Sequence, residues 1–238
     1  MHSNLMKRPL SILRSYAALG CIWGIFNAAF AHEPSDASAA EALQRLEEGN
    51  ARFVAGHLSS TSPAQIAASR GKVAQGQKPF AIIVGCSDSR VGPEVIFDQK
   101  VGDIFVIRTA GEIVDPVGLG SIEYAVAHLG SPLIVVLGHE RCGAVAAAVA
   151  EAREPGHIAT VLKAIQPAVQ GTKGEPGDQV HNAVCAQALN VTRQLVNAEP
   201  ILKEAVHSGK LKIIAALYNL DTGKVSLLSI PQKQRPGG

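Results

Sequence analysis

Phe80-Ala-Ile-Ile-Val-Gly-Cys-Ser-Asp-Ser-Arg90 begins as an unbroken apolar run and ends in a turn crowded with reactive groups. A run this short, rich in β-branched residues and closed by glycine, reads as a strand buried on both faces. Leu133–Leu137 repeats the pattern and is followed by Gly138-His139-Glu140-Arg141-Cys142-Gly143. Ile104–Ile107 and Leu211–Tyr218 are two further runs of the same kind. Between and after them lie helix-like segments: Gly120–Leu129, the alanine-rich Cys142–Ala152, a helix within Pro155–Gly177 and the long Asp178–Asn197. Strands alternating with helices define an α/β fold with a mostly parallel β-sheet flanked by helices. Val225–Leu228, after the turn signal Asp221-Thr222-Gly223, adds a last strand antiparallel to its predecessor. Upstream, Glu41–Val54 is amphipathic and Thr61–Ala74 opens on Ser62-Pro63, so an N-terminal helical arm precedes the sheet.

The chain has 238 residues, 47% of them hydrophobic and 18% charged, enough for one large domain with a buried core. Its formal charge of +2 is spread without basic runs, which excludes nucleic acid as an expected partner. At the start, Lys7, Arg8 and Arg14 precede the charge-free stretch Tyr16–Ala31, which ends in Ala29-Phe30-Ala31. That stretch falls short of the ~20 residues needed to span a bilayer. Residues 1–31 therefore read as a cleavable signal peptide, with the mature chain starting near His32; an uncleaved anchor is the alternative. The expected location is periplasmic or secreted, with no stable membrane insertion after cleavage. Residues 32–40 read as a flexible lead-in and 41–238 as a single domain. Removing Cys21 with the signal leaves Cys86, Cys142 and Cys185, an odd number for a disulfide-favouring compartment. A metal would occupy several of them; a Cys86–Cys142 disulfide is the alternative.

Both polar segments follow the carboxyl end of a strand, the edge at which open α/β sheets bind ligands. Cys86, His139 and Cys142 offer two thiolates and an imidazole, a donor set suited to Zn²⁺. Three protein ligands leave one tetrahedral position open, as catalysis on zinc requires. Cys142, at a helix start, has its thiolate favoured by the helix dipole. Spacing alone leaves a purely structural His and Cys open as well. Asp88 narrows the choice: two residues beyond a ligand, it can take a proton from a metal-activated water, orient that water, or coordinate the metal and close the site. Arg90 can hold Asp88 ionised in a bidentate fork. Without the neighbouring thiol, the pair would read as a surface ion pair in a turn.

Cys-Ser-Asp-Ser-Arg followed by Gly-His-Glu-Arg-Cys-Gly resembles the β-carbonic anhydrase family, whose signatures are Cys-x-Asp-x-Arg and His-x-x-Cys. The likeness continues through Val101–Gly111, Ser121–Val126 and Tyr218–Val225 and covers roughly residues 41 to 230. It implies a β-carbonic anhydrase-like fold and zinc-dependent, reversible hydration of CO₂ to bicarbonate and a proton. One Zn²⁺ per chain would sit on Cys86, His139 and Cys142, with Asp88 a fourth ligand only in a closed state. The catalytic dyad would be Asp88 and Arg90, positioning the nucleophile. Substrate-binding positions would be Gln77 (reaching in from a neighbouring subunit), Phe105, Tyr124 and Gly143. A homodimer or homotetramer is implied. Gln77, Phe105 and Tyr124 match the plant-type branch, whose site stays open. The branch that closes uses a Trp where this chain has Ile83, beside positions near Arg108 and Tyr218. Glu112 departs from the pattern, since Asn often follows Ala-Gly there. Histidines 57, 128, 157, 181 and 207 are candidate proton carriers. Two rival readings are a hydrolase of carbon disulfide on the same scaffold and a non-catalytic zinc or thiol-redox module.

Overall fold

The computed structural model describes residues 35–60 and 62–229. The expected signal and its cleavage site lie outside them, as do residues 32–34 of the expected lead-in. Five strands form one sheet in the order β2-β1-β3-β4-β5: β1 Ala81–Cys86, β2 Ile104–Thr109, β3 Leu133–His139, β4 Lys212–Tyr218 and β5 Val225–Leu228. The first four are parallel and β5 runs antiparallel to β4. β1 and β3, the central pair, are buried at every residue, which is why they read as continuous apolar runs. Successive side chains point to opposite faces. Ile82, Val84, Ile134 and Val136 face one core, shared with α4 (Pro116–Ala127), α7 (Gln179–Val196) and α8 (Ile201–His207). Ile83, Val135 and Leu137 face the other, shared with α1 (Ala39–Val54) and α3 (Pro93–Ile96).

Strands β1 and β3 run further than their apolar stretches suggest, because the backbone ladder continues past the last aliphatic side chain. Cys86 is still level with Thr109 of β2, and His139 with Tyr218 of β4. The two residues thus end neighbouring central strands at the same edge. Cys142 then caps α5 (Gly143–Val149), a helix shorter than the expected Cys142–Ala152 because the chain turns out at Glu151, whose φ is 50°. Two helices fill the space beside it, α6 (Ile158–Gly171) and α7, the latter started by the Asp178 side chain accepting from the His181 amide at 2.8 Å.

The arm packs through α1, which starts inside the expected lead-in because Ser38 and Glu41 form a reciprocal capping box. Gly49 lets α1 approach closely: a Cβ there would stand 1.7 Å from the Phe97 carbonyl oxygen. Asn50 ties α1 to the far sheet edge, donating to Gly223 O at 2.8 Å and accepting from the Val225 amide at 2.9 Å. α2 (Pro63–Val73) completes the arm.

Candidate metal centre

The Sγ, ring-nitrogen and Sγ atoms of Cys86, His139 and Cys142 lie within 4.8 Å of one another, and all three residues are buried. The two thiols are free, with their sulfurs 3.9 Å apart, far beyond the ~2.05 Å of a disulfide. The disulfide alternative is therefore excluded. His139 donates from Nδ1 to the carbonyl of Glu140 at 2.9 Å, which fixes the tautomer and leaves the Nε2 lone pair facing the sulfurs. That Nε2 is buried without any hydrogen-bond partner, a costly arrangement unless another group satisfies it. The Cys142 thiol donates toward Cys86 and holds it well below the usual thiol range, aided by the amides of Gly111 and Asp88, each 3.4 Å from Sγ. The same bond, with burial, pushes Cys142 up. A dication between two such sulfurs and the orphaned nitrogen removes all of these tensions, so the residues fit Zn²⁺.

Asp88 and Arg90 meet on the solvent side of this triad. Arg90 Nε and Nη2 donate to the two carboxylate oxygens at 2.9 and 2.7 Å, and the Arg90 amide adds a bond of 3.0 Å. This fork holds the Asp88 carboxyl well below the usual carboxylate range. Asp88 Oδ2 is 3.9 Å from His139 Nε2, beside the position a metal would take. Arg108, on β2, donates to the carbonyls of Cys86 at 2.8 Å and Asp88 at 2.6 Å. It thereby clamps the loop that carries both residues. Its β2 position gave no sign of this, because the contact depends on the β1–β2 register.

Glu112 is buried completely, with neither carboxylate oxygen hydrogen-bonded. It follows Gly111 in a short 3-10 turn, Ala110–Glu112, and has a φ of 44°, which strains a non-glycine residue by of order 1 kcal/mol. Burial first, and the nearby Cys86 second, push its carboxyl well above its usual value. A raised acid pKa gives stability that is full below the unfolded value and falls as pH rises toward the folded one, by about 1.4 kcal/mol per pH unit. Glu112→Gln lacks this slope. Urea unfolding of zinc-loaded parent and variant, compared pairwise at mildly acidic and mildly alkaline pH, should show the variant gaining on the parent as pH rises. Parallel pH profiles would contradict the assignment.

The remaining expected positions do not join the triad within one chain. Phe105 is paired with Ile82, four residues below the Cys86–Thr109 level, about 13 Å along the strand. Tyr124, on α4, packs on the same core face and stacks near His128, with ring centroids 5.2 Å apart. Gln77 lies half-buried in the loop between α2 and β1. Gly143 does begin α5 beside Cys142, and a Cβ there would meet nothing within 4 Å, so packing within this chain does not demand glycine.

Fold and site together define a metalloenzyme built on an open α/β sheet, its metal held at the carboxyl edge of the strands by two thiols and an imidazole. A family model described as "Carbonic anhydrase" matches residues 81–225. Carbonic anhydrase 2 of Mycobacterium tuberculosis is 42% identical over 190 residues, spanning 78% of this chain and 91% of that protein. A carbonic anhydrase of Mycolicibacterium smegmatis is 38% identical over 192 residues, spanning 79% and 92%. One of two tetrameric β-carbonic anhydrases from the ascomycete Sordaria macrospora superposes with a TM-score of 0.63 at 31% identity, covering 70% of this chain and 89% of that one. The chain belongs to the β-carbonic anhydrase family.

Proposed function

We propose that this chain catalyses the zinc-dependent, reversible hydration of CO₂ to bicarbonate and a proton. The observation that carries the reading is the buried, unpartnered His139 Nε2 facing two free thiols, with an ionised Asp88 held alongside. Zinc held by Cys86, His139 and Cys142 supplies a Lewis acid that makes water acidic near neutral pH. The protein's own groups do the rest. Asp88, acceptor-only because Arg90 keeps it ionised, accepts a hydrogen bond from the attacking water and so orients it. Arg90 holds both carboxylate oxygens, keeping Asp88 beside the metal position but off it. Arg108 fixes the backbone beneath them. A CO₂-hydration assay on zinc-loaded protein, repeated after chelation, tests the reading: loss of activity with metal and its return on adding zinc are expected. A zinc-loaded protein inert toward CO₂ would defeat it.

Gln77, Phe105 and Tyr124 enter this scheme across a subunit boundary. Phe105 is on β2, the sheet's edge strand, and Tyr124 packs on the same core face, both away from their own ligands, which favours an oligomer of at least two chains in which each site borrows a neighbour's residues. Gly143 leaves room for substrate at the start of α5. We assign the site to the branch that stays open. Ile83 is an aliphatic core residue where the closing branch uses an indole, and the Arg108 guanidinium is spent on backbone carbonyls. Inhibition by bicarbonate should therefore be hyperbolic; a sigmoidal dependence would show a second, cooperative anion site. Export of the mature chain is part of the same reading, supported by the charge and apolar pattern of residues 1–31. Amino-terminal sequencing of protein from the periplasmic fraction should begin near His32, and a chain starting at Met1 in the cytoplasm would refute it.

A further inference from the structure

Cys185 belongs neither to the triad nor to a disulfide. It lies one helical turn after His181 on α7, and its Sγ is 3.7 Å from His181 Nε2. The other ring nitrogen, Nδ1, is 3.0 Å from the carboxylate of Glu140. With the carboxylate accepting from Nδ1–H, the neutral ring presents Nε2 as an acceptor to the thiol. Thiol, base and orienting carboxylate thus stand in the order that activates a nucleophile. Three separate features hold the set in place. The Asp178 cap fixes the His181 backbone, α7 spaces His181 and Cys185, and Glu140 sits on the β3–α5 connection. Cys185 and His181 line a groove of about 970 Å³ between α6 and α7, walled by Ala164, Pro167 and Ala168 and edged by Asn182.

From this arrangement we infer that Cys185 is a base-assisted nucleophilic thiol that exchanges with low-molecular-weight disulfides entering the α6–α7 groove. In the exchange, the Cys185 S–H proton passes to His181 Nε2 as the sulfur attacks one sulfur of the disulfide. The incoming S–S bond breaks, a mixed disulfide forms on Cys185, and the departing thiolate takes the proton back from His181. No outside oxidant is needed, since the disulfide is reduced as the thiol is oxidised. The assistance matters here. Burial, and secondarily the charge of Glu140, hold the Cys185 thiol above its usual range, so without a base it would react slowly. The site is independent of the CO₂ chemistry, and its readout is a thiol count.

The test uses zinc-loaded protein and the neutral aromatic disulfide dithiodipyridine, whose released thione is followed by absorbance. The parent should show a fast phase of one thiol per chain that Cys185→Ser removes, with zinc content unchanged. His181→Ala should slow that phase at least about a hundredfold, the low end of general-base assistance. Added imidazole should restore part of the loss, which a merely structural defect would not allow. Mass analysis after treatment with cystamine should place the mixed disulfide on Cys185. An equal rate in parent and His181→Ala, or a loss that imidazole leaves untouched, would overturn the inference. So would a fast phase that survives Cys185→Ser.

Discussion

Cys142→Ala should leave the protein folded, nearly free of zinc and without measurable CO₂ hydration. The triad shares one metal among three donors, and zinc sites of this general kind bind with ~10–16 kcal/mol. Losing one donor in three therefore costs about 4 kcal/mol, roughly a thousandfold in affinity. Folding should survive, because Cys142 is a small buried side chain at the cap of a seven-residue helix, and the sheet that carries Cys86 and His139 is built without it. His139→Ala should behave alike, since it removes a buried nitrogen that has no other partner. Cys185→Ala is the control: it deletes a thiol of the same chain but one outside the triad, so zinc and hydration should stay at parental levels. Metal analysis beside a hydration assay reads all three variants. Cys142→Ala that keeps a full complement of zinc and full activity would remove Cys142 from the ligand set.

What could be read beforehand follows from which residues carry local chemistry. Cys86, Asp88, Arg90, His139 and Cys142 were legible because a buried parallel strand announces its own end, and ligand sites form there. The helix from Pro116 was harder: Asp115 caps it and Pro116 opens it, yet Gly118 and Gly120 in its first turns masked the start, so it read as beginning at Gly120. α3 and α8, four and seven residues long, carry too little periodicity to stand out. Glu112 and Arg108 show a different limit. Whether a carboxylate is dry, or a guanidinium finds two carbonyls, is decided by neighbours distant in sequence. Phe105 and Tyr124 show a third, since one chain by itself does not bring them to the metal ligands. For these, resemblance to a family carried more than any local pattern.

Asp88→Asn and Arg90→Ala should each retain zinc and each lower kcat/KM by about a hundredfold or more, the scale of a lost positioning group. Asparagine keeps the size of Asp88 but turns one acceptor oxygen into a donor, so it neither orients the water in the same way nor matches the two-pronged donor of Arg90. Arg90→Ala acts through Asp88. It removes the bonds of 2.9 and 2.7 Å that turn the carboxylate, leaving only the amide bond of 3.0 Å. Asp88 Oδ2 already lies 3.9 Å from His139 Nε2, so a small rotation brings the freed carboxylate onto the metal. The two losses then share one cause, the displacement or disabling of a single carboxylate. Coupled residues of this kind are non-additive. Independent contributions would multiply to about ten-thousandfold in the double variant. A shared one leaves Asp88→Asn/Arg90→Ala no slower than the worse single variant, because the amide at position 88 has little affinity for zinc and cannot block it. Hydration kinetics on the four proteins at matched zinc content decide the matter. A double variant as slow as the product of the singles would show that Arg90 acts on substrate by itself, and the positioning role argued from the fork would be wrong.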